Sequence, residues 1–149
     1  MLLFISFAIN GVVALAAIVL HYEVLYWLNQ RLARMSHIQA RYKVLIAVGT
    51  IFLAHVAEIW LFACAYLAML QIPEMGSLVG KLSDHGAILD CAYFSFITFT
   101  TVGYGEIFAN GYLRYLTGVE ALCGFILITW SASFLFLEMQ KYWSSNHPS

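Results

Sequence analysis

The stretch that decides the fold is Tyr93-Phe94-Ser95-Phe96-Ile97-Thr98-Phe99-Thr100-Thr101-Val102-Gly103-Tyr104-Gly105. It is apolar enough for membrane depth, but only about ten residues precede its glycines, whereas a helix needs about 20 to cross the hydrocarbon core. Non-helical backbone is tolerated at that depth only where it is buried in protein or lines a water-filled cavity. Residues 90–107 therefore predict a short re-entrant helix at 91–100, N-capped by the carboxylate of Asp90, and a non-helical loop after it.

Three long apolar stretches lie around this loop, and each is long enough to cross a bilayer. They cover residues 1–28, 44–70 and 113–140. A turn-rich segment at 71–90 joins the second stretch to the re-entrant helix, and a short polar tail occupies 144–149. The sequence thus predicts an all-α membrane protein with three transmembrane helices and one re-entrant helix.

The composition excludes a water-soluble domain. Hydrophobic residues make up 62% of the 149 residues and charged residues 10%, whereas globular domains carry about 25% charged residues. The net charge of −1 and the lack of a basic patch with interleaved aromatic residues argue against a nucleic-acid partner. The lipid bilayer is therefore the expected environment.

The distribution of basic residues predicts the orientation of the chain. The segment 29–43 is polar and holds four of the seven Lys and Arg residues: Arg31, Arg34, Arg41 and Lys43. Short basic loops remain cytoplasmic. The N-terminus and the segment 71–90 are therefore expected outside the cell, and the C-terminus, which follows Lys141, is expected in the cytoplasm.

The alternation of glycine with larger residues at 101–105 suits a loop that presents backbone carbonyls to an ion. A K+ ion can cross lipid only if other oxygens replace the water oxygens of its hydration shell. A stack of backbone carbonyls from several subunits can supply them. Alternate positions of such a stack need left-handed dihedrals, which Gly103 and Gly105 can adopt at little steric cost. The hydroxyl of Thr101 can add one more ring of oxygens. The negative C-terminal end of the preceding short helix favours a cation beneath the loop.

The quoted stretch resembles the pore loop of the potassium channel family, in particular the small bacterial channels built of two helices around a pore loop. The resemblance covers about 44–140 and implies a pore domain at 44–143, in which the second and third apolar stretches are the outer and inner helices and 101–105 is the selectivity filter. It also implies a homotetramer that conducts K+ passively across the plasma membrane, here the inner membrane of a bacterial cell. The first stretch, 1–28, has no counterpart in the two-helix members.

The resemblance also assigns roles to single residues. K+ ions are expected to bind at four consecutive filter residues: Thr101, Val102, Gly103 and Tyr104. Thr100 and Glu106 are expected to support the filter, although Glu106 stands where the family usually has Asp. Apart from the resemblance, the position of Glu120 in the outer half of the third stretch predicts a hydrogen bond behind the pore loop. A channel of this kind is not an enzyme, so no catalytic residue and no cofactor other than K+ is expected.

The third apolar stretch carries candidates for a gate. Gly124 lies about five helical turns after the filter, where the resemblance places a flexible glycine, and glycine weakens a helix by about 1 kcal/mol relative to alanine. Four residues recur at spacings that put them on one helix face: Phe125, Thr129, Ala132 and Phe136. If that face lines the pore, a ring of Phe136 side chains can block ions by dewetting. The alternative, in which Phe136 faces lipid or a neighbouring helix, stays open.

His55 and Glu58 lie near the middle of the second stretch, three positions apart and so on one helix face. Ionisable residues at membrane depth are costly and suggest function. Three interpretations are open: a hydrogen-bonded pair that joins this helix to the first stretch or to the next subunit, a proton-sensitive pair that biases the gate, and two ligands of a metal site. His21 is expected near the inner face of the membrane, away from His55. The remaining histidines are expected in loops or the tail: His37, His85 and His147.

Two other functions compete with a potassium channel. A non-selective cation channel can share such a pore loop, but non-selective relatives often lose the tyrosine that stands here at Tyr104. An intramembrane metal-binding protein built on His55 and Glu58 needs more ligands at the same depth. The expected positions of the other histidines disfavour it.

Overall fold

The fold is described by a computed structural model, which covers residues 1–83, 86–103 and 105–143, except for the side chains of 142 and 143. Six elements follow one another within those residues: α1 (Leu2–Arg34), α2 (Ala40–Leu70), β1 (Leu78–Gly80), α3 (Ala87–Phe99), β2 (Ile107–Ala109) and α4 (Leu113–Trp143). The helices α1, α2 and α4 are each long and apolar enough to cross a membrane. The all-α membrane class predicted from the sequence is confirmed.

The first two helices extend further than the sequence analysis predicted. α1 continues to Arg34 and α2 already begins at Ala40, so the predicted polar segment at 29–43 shrinks to a connection at 35–39. The added residues include Arg, Gln and Leu, which are good helix formers. The last turn of α1 carries two arginines, where cations complement the negative end of the helix dipole.

The long helices form one bundle. α1 and α2 make an antiparallel hairpin, and α4 packs against both. At one end of the bundle, side chains from all three helices form an apolar cluster: Leu25, Leu28, Leu32, Ala47 and Ile51, with Phe134 and Leu135 against them. The connection at 35–39 and the last turns of α4 therefore lie at the same end, together with the basic residues of 29–43 and Lys141. The predicted tail at 144–149 lies outside the described residues.

The short helix α3 packs between α2 and α4 and has 13 residues, too few to span a bilayer. Its aromatic side chains meet those of α2. The ring of Phe94 lies edge-on to Tyr66 with centroids 5.1 Å apart, and the ring of Phe99 lies 6.4 Å from Phe62. All four of these rings are fully buried, so α3 is fixed in the core of the bundle.

The predicted start of the short helix was wrong. The helix begins at Ala87 rather than at 91, and Gly86, with a φ of 102°, occupies the N-cap position. The left-handed glycine reverses the chain early, so the next apolar residues join the helix. Asp90 consequently lies in the first turn, where its carboxylate accepts a hydrogen bond from the Ser83 amide at 2.9 Å.

A small sheet that the sequence analysis did not predict brackets the loop after α3. β1 pairs antiparallel with β2, with Leu78 opposite Ala109 and Gly80 opposite Ile107. The segment before α3 is thereby hydrogen-bonded to the segment after the glycine-rich loop. The sheet therefore closes the re-entrant unit at both ends, and the buried side chains of α3 fix its middle in the bundle.

Candidate functional site

The glycine-rich loop leaves α3 with a strongly turned backbone. Thr100 is the C-cap residue of α3, and its hydroxyl donates back to the Phe96 carbonyl oxygen at 2.6 Å. Thr101 has a φ of 56° and Gly103 a φ of 110°. The left-handed backbone predicted at Gly103 is present, the one predicted at Gly105 is not, and a left-handed Thr101 was not predicted. Left-handed dihedrals are costly for a residue with a Cβ, and such strain clusters at functional sites.

The loop is open to its surroundings within the single chain. Val102 is 80% exposed, and a Cβ added at Gly103 or at Gly105 would meet nothing within 4 Å. The need for glycine at Gly103 therefore comes from its dihedral angle and not from lack of space. The predicted filter residue Tyr104 lies outside the described residues.

Glu106 lies at the junction between the loop and the sheet. Its backbone carbonyl accepts a hydrogen bond from the Lys81 amide at 3.0 Å. Its carboxylate lies 3.9 Å from the Lys81 ammonium group, and both side chains are mostly exposed. The structure thus places the Glu106 side chain at the surface of the chain, beside the sheet.

Glu120 is the buried carboxylate behind the loop. Its side chain is fully buried and accepts a hydrogen bond from the Tyr66 hydroxyl at 2.6 Å and another from the Ser95 hydroxyl of α3. Glu120 thus hydrogen-bonds to the short helix that precedes the loop, in agreement with its predicted position behind the loop. We call Glu120, Tyr66 and Ser95 the Glu120 cluster; it joins α4, α2 and α3 through their side chains.

Gly124 lies where α4 touches the end of α3. A Cβ on this residue would stand 2.0 Å from the Phe99 carbonyl oxygen and 2.8 Å from its carbonyl carbon. Atoms cannot approach that closely, so only glycine allows the two backbones to meet. The structure therefore gives Gly124 a packing role beside the loop, and its role as a hinge stays a prediction.

The other gate candidates lie on the outer side of α4 in the single chain. Phe125 is 60% and Phe136 58% exposed, and Thr129 and Ala132 are exposed as well. This surface is available to an ion pathway, to a neighbouring copy or to lipid. Leu122 is equally exposed, so exposure does not distinguish one face as the pore face, and the gate stays a prediction.

A second buried carboxylate lies deeper in the bundle, where three long helices meet. Nδ1 of His21 lies 2.9 Å from one oxygen of Glu58, and Nδ1 of His55 lies 2.8 Å from the other. The hydroxyl oxygen of Ser131, on α4, lies 3.3 Å from Nε2 of His21 and 3.1 Å from Nε2 of His55. We call these four residues the histidine cluster.

The expectation that His21 lies apart from His55 was wrong. His21 is 13 residues before the end of α1, and His55 is 15 residues after the start of α2, so an antiparallel hairpin brings the two to similar depth. The two imidazole rings stack with centroids 5.3 Å apart. The sequence signal that could have found this contact is the near-equal distance of both histidines from the connection at 35–39.

The side chains of the histidine cluster are almost fully shielded from solvent. The side chain of Glu58 is 0% exposed and that of His21 1% exposed, whereas that of His55 is 17% exposed. The indole of Trp130 lies 5.3 Å from the His21 ring. The ring of Phe99, at the end of α3, lies 5.7 Å from His55. The cluster thus adjoins the residue from which the glycine-rich loop starts.

A comparison with protein families identifies the family of this chain. The sequence matches the family described as ion channel over residues 55–141, more than half of its length. The chain belongs to the ion channel family. Its resemblance to the two-helix pore type is confirmed, with α1 as an additional N-terminal helix. Neither the comparison with curated proteins nor the one with solved structures found a match.

Family membership and the three apolar helices make the chain a multi-pass membrane protein and an ion channel. The matched segment contains the glycine-rich loop, the Glu120 cluster, and three members of the histidine cluster: His55, Glu58 and Ser131. The fourth member, His21, belongs to α1, which lies outside that segment.

Proposed function

We propose that four copies of this chain form a potassium-selective channel with residues 101–105 as its filter. The proposal rests on the loop after α3. The chain is a member of an ion channel family, and this loop starts at the end of a buried helix too short to span the membrane. Its backbone is left-handed at Thr101 and Gly103. Alternating left-handed residues let successive carbonyls face one axis. The peptide dipoles of α3 place its negative end beside the loop, which favours a cation.

The exposure of the loop supports a fourfold assembly. One chain contributes one loop, and Val102 is 80% exposed in it, so one chain does not surround an ion. A closed ring of identical subunits is the usual way to complete such a site. In the proposed tetramer α4 lines the pore and α2 lies outside it.

Within the filter, ions bind to the Thr101 hydroxyl and to the backbone carbonyls of the following residues: Thr101, Val102, Gly103 and Tyr104. Thr100 and Glu106 hold the two ends of the loop, the first by its bond to α3 and the second through the sheet. The channel does no chemistry on its ion, so no residue is catalytic and no cofactor other than K+ is needed.

The proposed gate lies further along α4. Gly124 permits bending or close packing, and the face of Phe125, Thr129, Ala132 and Phe136 lines the pore towards the cytoplasm. The proposed orientation puts the N-terminus outside the cell, because the basic residues of 29–43 and Lys141 share one end of the bundle and such residues stay cytoplasmic. The proposed location is the plasma membrane, the inner membrane of a bacterial cell.

A single substitution in the loop tests this proposal. Gly103→Ala adds a methyl group at a φ of 110°, which opposes the dihedral that the filter requires. We expect K+ flux into liposomes to fall to the background of empty vesicles. Gly11→Ala, on α1 and with nothing within 4 Å of the added Cβ, is the matched control and should conduct like the parent. A Gly103→Ala protein that assembles and conducts K+ like the parent would contradict the filter assignment.

A further inference from the structure

The histidine cluster places three groups that commonly bind transition metals around one point. One ligand atom from each of His21, His55 and Glu58 lies within 4.8 Å of the other two. Two imidazole nitrogens and one carboxylate oxygen are a common ligand set for Zn²⁺ and for other divalent transition ions that keep an open coordination position. The groups come from two helices, α1 and α2, so the site depends on the packing of the bundle.

When both imidazoles are neutral, one ring nitrogen of the cluster lacks a hydrogen-bond donor. The Glu58 carboxylate is the acceptor between the two Nδ1 atoms, so each imidazole carries its hydrogen on Nδ1. Both Nε2 atoms are then acceptors, and both face the single hydroxyl of Ser131. A hydroxyl has one hydrogen, so it can satisfy one of these nitrogens and not the other.

A metal ion satisfies both imidazoles, and the Ser131 hydroxyl hydrogen can then donate to the carbonyl oxygen one turn back in α4, as serine in a helix commonly does. When the ion is bound by both Nδ1 atoms and by Glu58, each imidazole carries its hydrogen on Nε2 instead. Both Nε2–H groups then donate to the Ser131 oxygen, which has two lone pairs. Metal-bound histidines usually donate their second ring nitrogen to such an outer partner, which fixes the tautomer and the ring orientation.

The distances and the charge fit such an ion. Ligand atoms of a tetrahedral zinc site lie about 3.3 Å apart, as follows from Zn–N and Zn–O distances near 2.0–2.1 Å. The His21 nitrogen lies 2.9 Å from one Glu58 oxygen and the His55 nitrogen 2.8 Å from the other, both close to that separation. The three ligand atoms, which lie within 4.8 Å of one another, need to draw closer around the ion. An isolated carboxylate buried as fully as Glu58 is costly, and a divalent cation bound to it offsets that cost.

We propose that His21, His55 and Glu58 bind one divalent transition-metal ion per chain, with Ser131 as a positioning residue for both imidazoles. The ion joins α1 to α2 directly and to α4 through Ser131. This site is separate from the K+ filter and gives α1, which lies outside the matched family segment, a role in the channel.

Cobalt binding to the intact protein tests the proposal without any flux measurement. The full-length assembly in detergent, stripped with a chelator, is titrated with Co²⁺ while its visible absorption is recorded. We expect saturation at one Co²⁺ per chain and displacement by Zn²⁺. His21→Gln removes a metal ligand and should weaken binding by more than about 100-fold. Ser131→Ala removes only an outer partner, so it should weaken binding by about 10–100-fold and leave the Co²⁺ spectrum unchanged.

Two further variants keep the outcome decisive. His37→Gln changes an exposed histidine outside the cluster and should bind Co²⁺ like the parent. His21→Cys replaces one metal ligand by another and should restore much of the affinity that His21→Gln loses. Gel filtration checks that each variant assembles.

Two results would overturn the metal site: no saturable Co²⁺ binding by the parent protein, or equal binding by the parent and His21→Gln. A pH-dependent flux with no metal binding would instead support the proton-sensitive interpretation of the cluster. The proposed function fails or holds independently, because a protein that conducts K+ without binding Co²⁺ contradicts only the metal site. Binding of Co²⁺ without K+ flux contradicts only the filter.

Discussion

Glu120 and Glu58 are two fully buried carboxylates in the same bundle, and their partners differ in chemistry. Glu120 accepts from two hydroxyls, those of Tyr66 and Ser95. Glu58 lies between two imidazoles. A hydroxyl can only hydrogen-bond at this depth, whereas an imidazole can exchange its hydrogen for a metal ion. Equally buried carboxylates can therefore act as a fixed support in one place and as part of an exchangeable site in another.

The two clusters also differ in the helices that they join. The Glu120 cluster links α2, α3 and α4, all of which belong wholly or partly to the matched family segment. The histidine cluster adds α1 through His21. The first cluster therefore supports the loop, and the second connects the additional helix to the channel. The histidine cluster adjoins the end of α3, where His55 contacts Phe99, whereas the Glu120 cluster meets the middle of α3 at Ser95.

Removal of the Glu120 carboxylate should have the largest effect on the fold. Glu120→Ala removes one acceptor from each of the Tyr66 and Ser95 hydroxyls. These keep the Thr117 hydroxyl at 3.3 Å and the Ile59 carbonyl oxygen at 2.8 Å, respectively. The truncation also leaves a cavity, which typically costs about 2–5 kcal/mol in a buried site, and each lost hydrogen bond adds about 0.5–1.5 kcal/mol. We expect a loss of about 3–6 kcal/mol in the free energy of unfolding, together with weaker selection of K+ over Na+. Thermal unfolding of the assembly in detergent and flux in liposomes measure the two effects.

Glu23→Ala, which removes an exposed carboxylate from α1, is the control for this prediction and should change neither quantity. If Glu120→Ala melts at the same temperature as Glu23→Ala and keeps the selectivity of the parent, Glu120 does not support the loop. The contrast between a fixed and an exchangeable carboxylate would then disappear.

A methyl group at Gly124 should have a smaller effect, at the point where α4 meets the end of α3. Gly124→Ala forces a Cβ to 2.0 Å from the Phe99 carbonyl oxygen, and overpacking of this kind typically costs about 1–3 kcal/mol. Gly118→Ala, also on α4 but with nothing within 4 Å, should instead be neutral or stabilise by up to about 1 kcal/mol. Unfolding of the two variants side by side measures the difference, and equal stability would show that the contact with Phe99 does not constrain α4.

Much of this arrangement follows from local sequence signals. The three spans follow from the length of their apolar stretches, the short α3 from a stretch too short to cross, and the left-handed Gly103 from glycine alternation. A hydrogen bond of Glu120 behind the loop was expected from its position in the outer half of the third stretch. Each of these inferences uses one helix or one loop at a time.

The features that the sequence analysis missed depend on how distant segments meet. To predict the contact of His21 with Glu58, one must know that the helices are connected at 35–39. An error of a few residues there changes which residues of two antiparallel helices lie at the same depth. The early start of α3 depends on one glycine dihedral at Gly86. The pairing of β1 with β2 joins strands of only three residues each, which have no periodicity to read.

The most direct test of the central claim is the reversal potential of the reconstituted parent protein. The channel is placed in a planar bilayer with unequal K+ on the two sides, and Na+ balances the total salt. We predict that the reversal potential lies near the equilibrium potential of K+ and moves with it when the K+ ratio is changed. A current that reverses near zero at every K+ ratio would show that the pore does not distinguish K+ from Na+ and would contradict the claim that residues 101–105 form a potassium-selective filter.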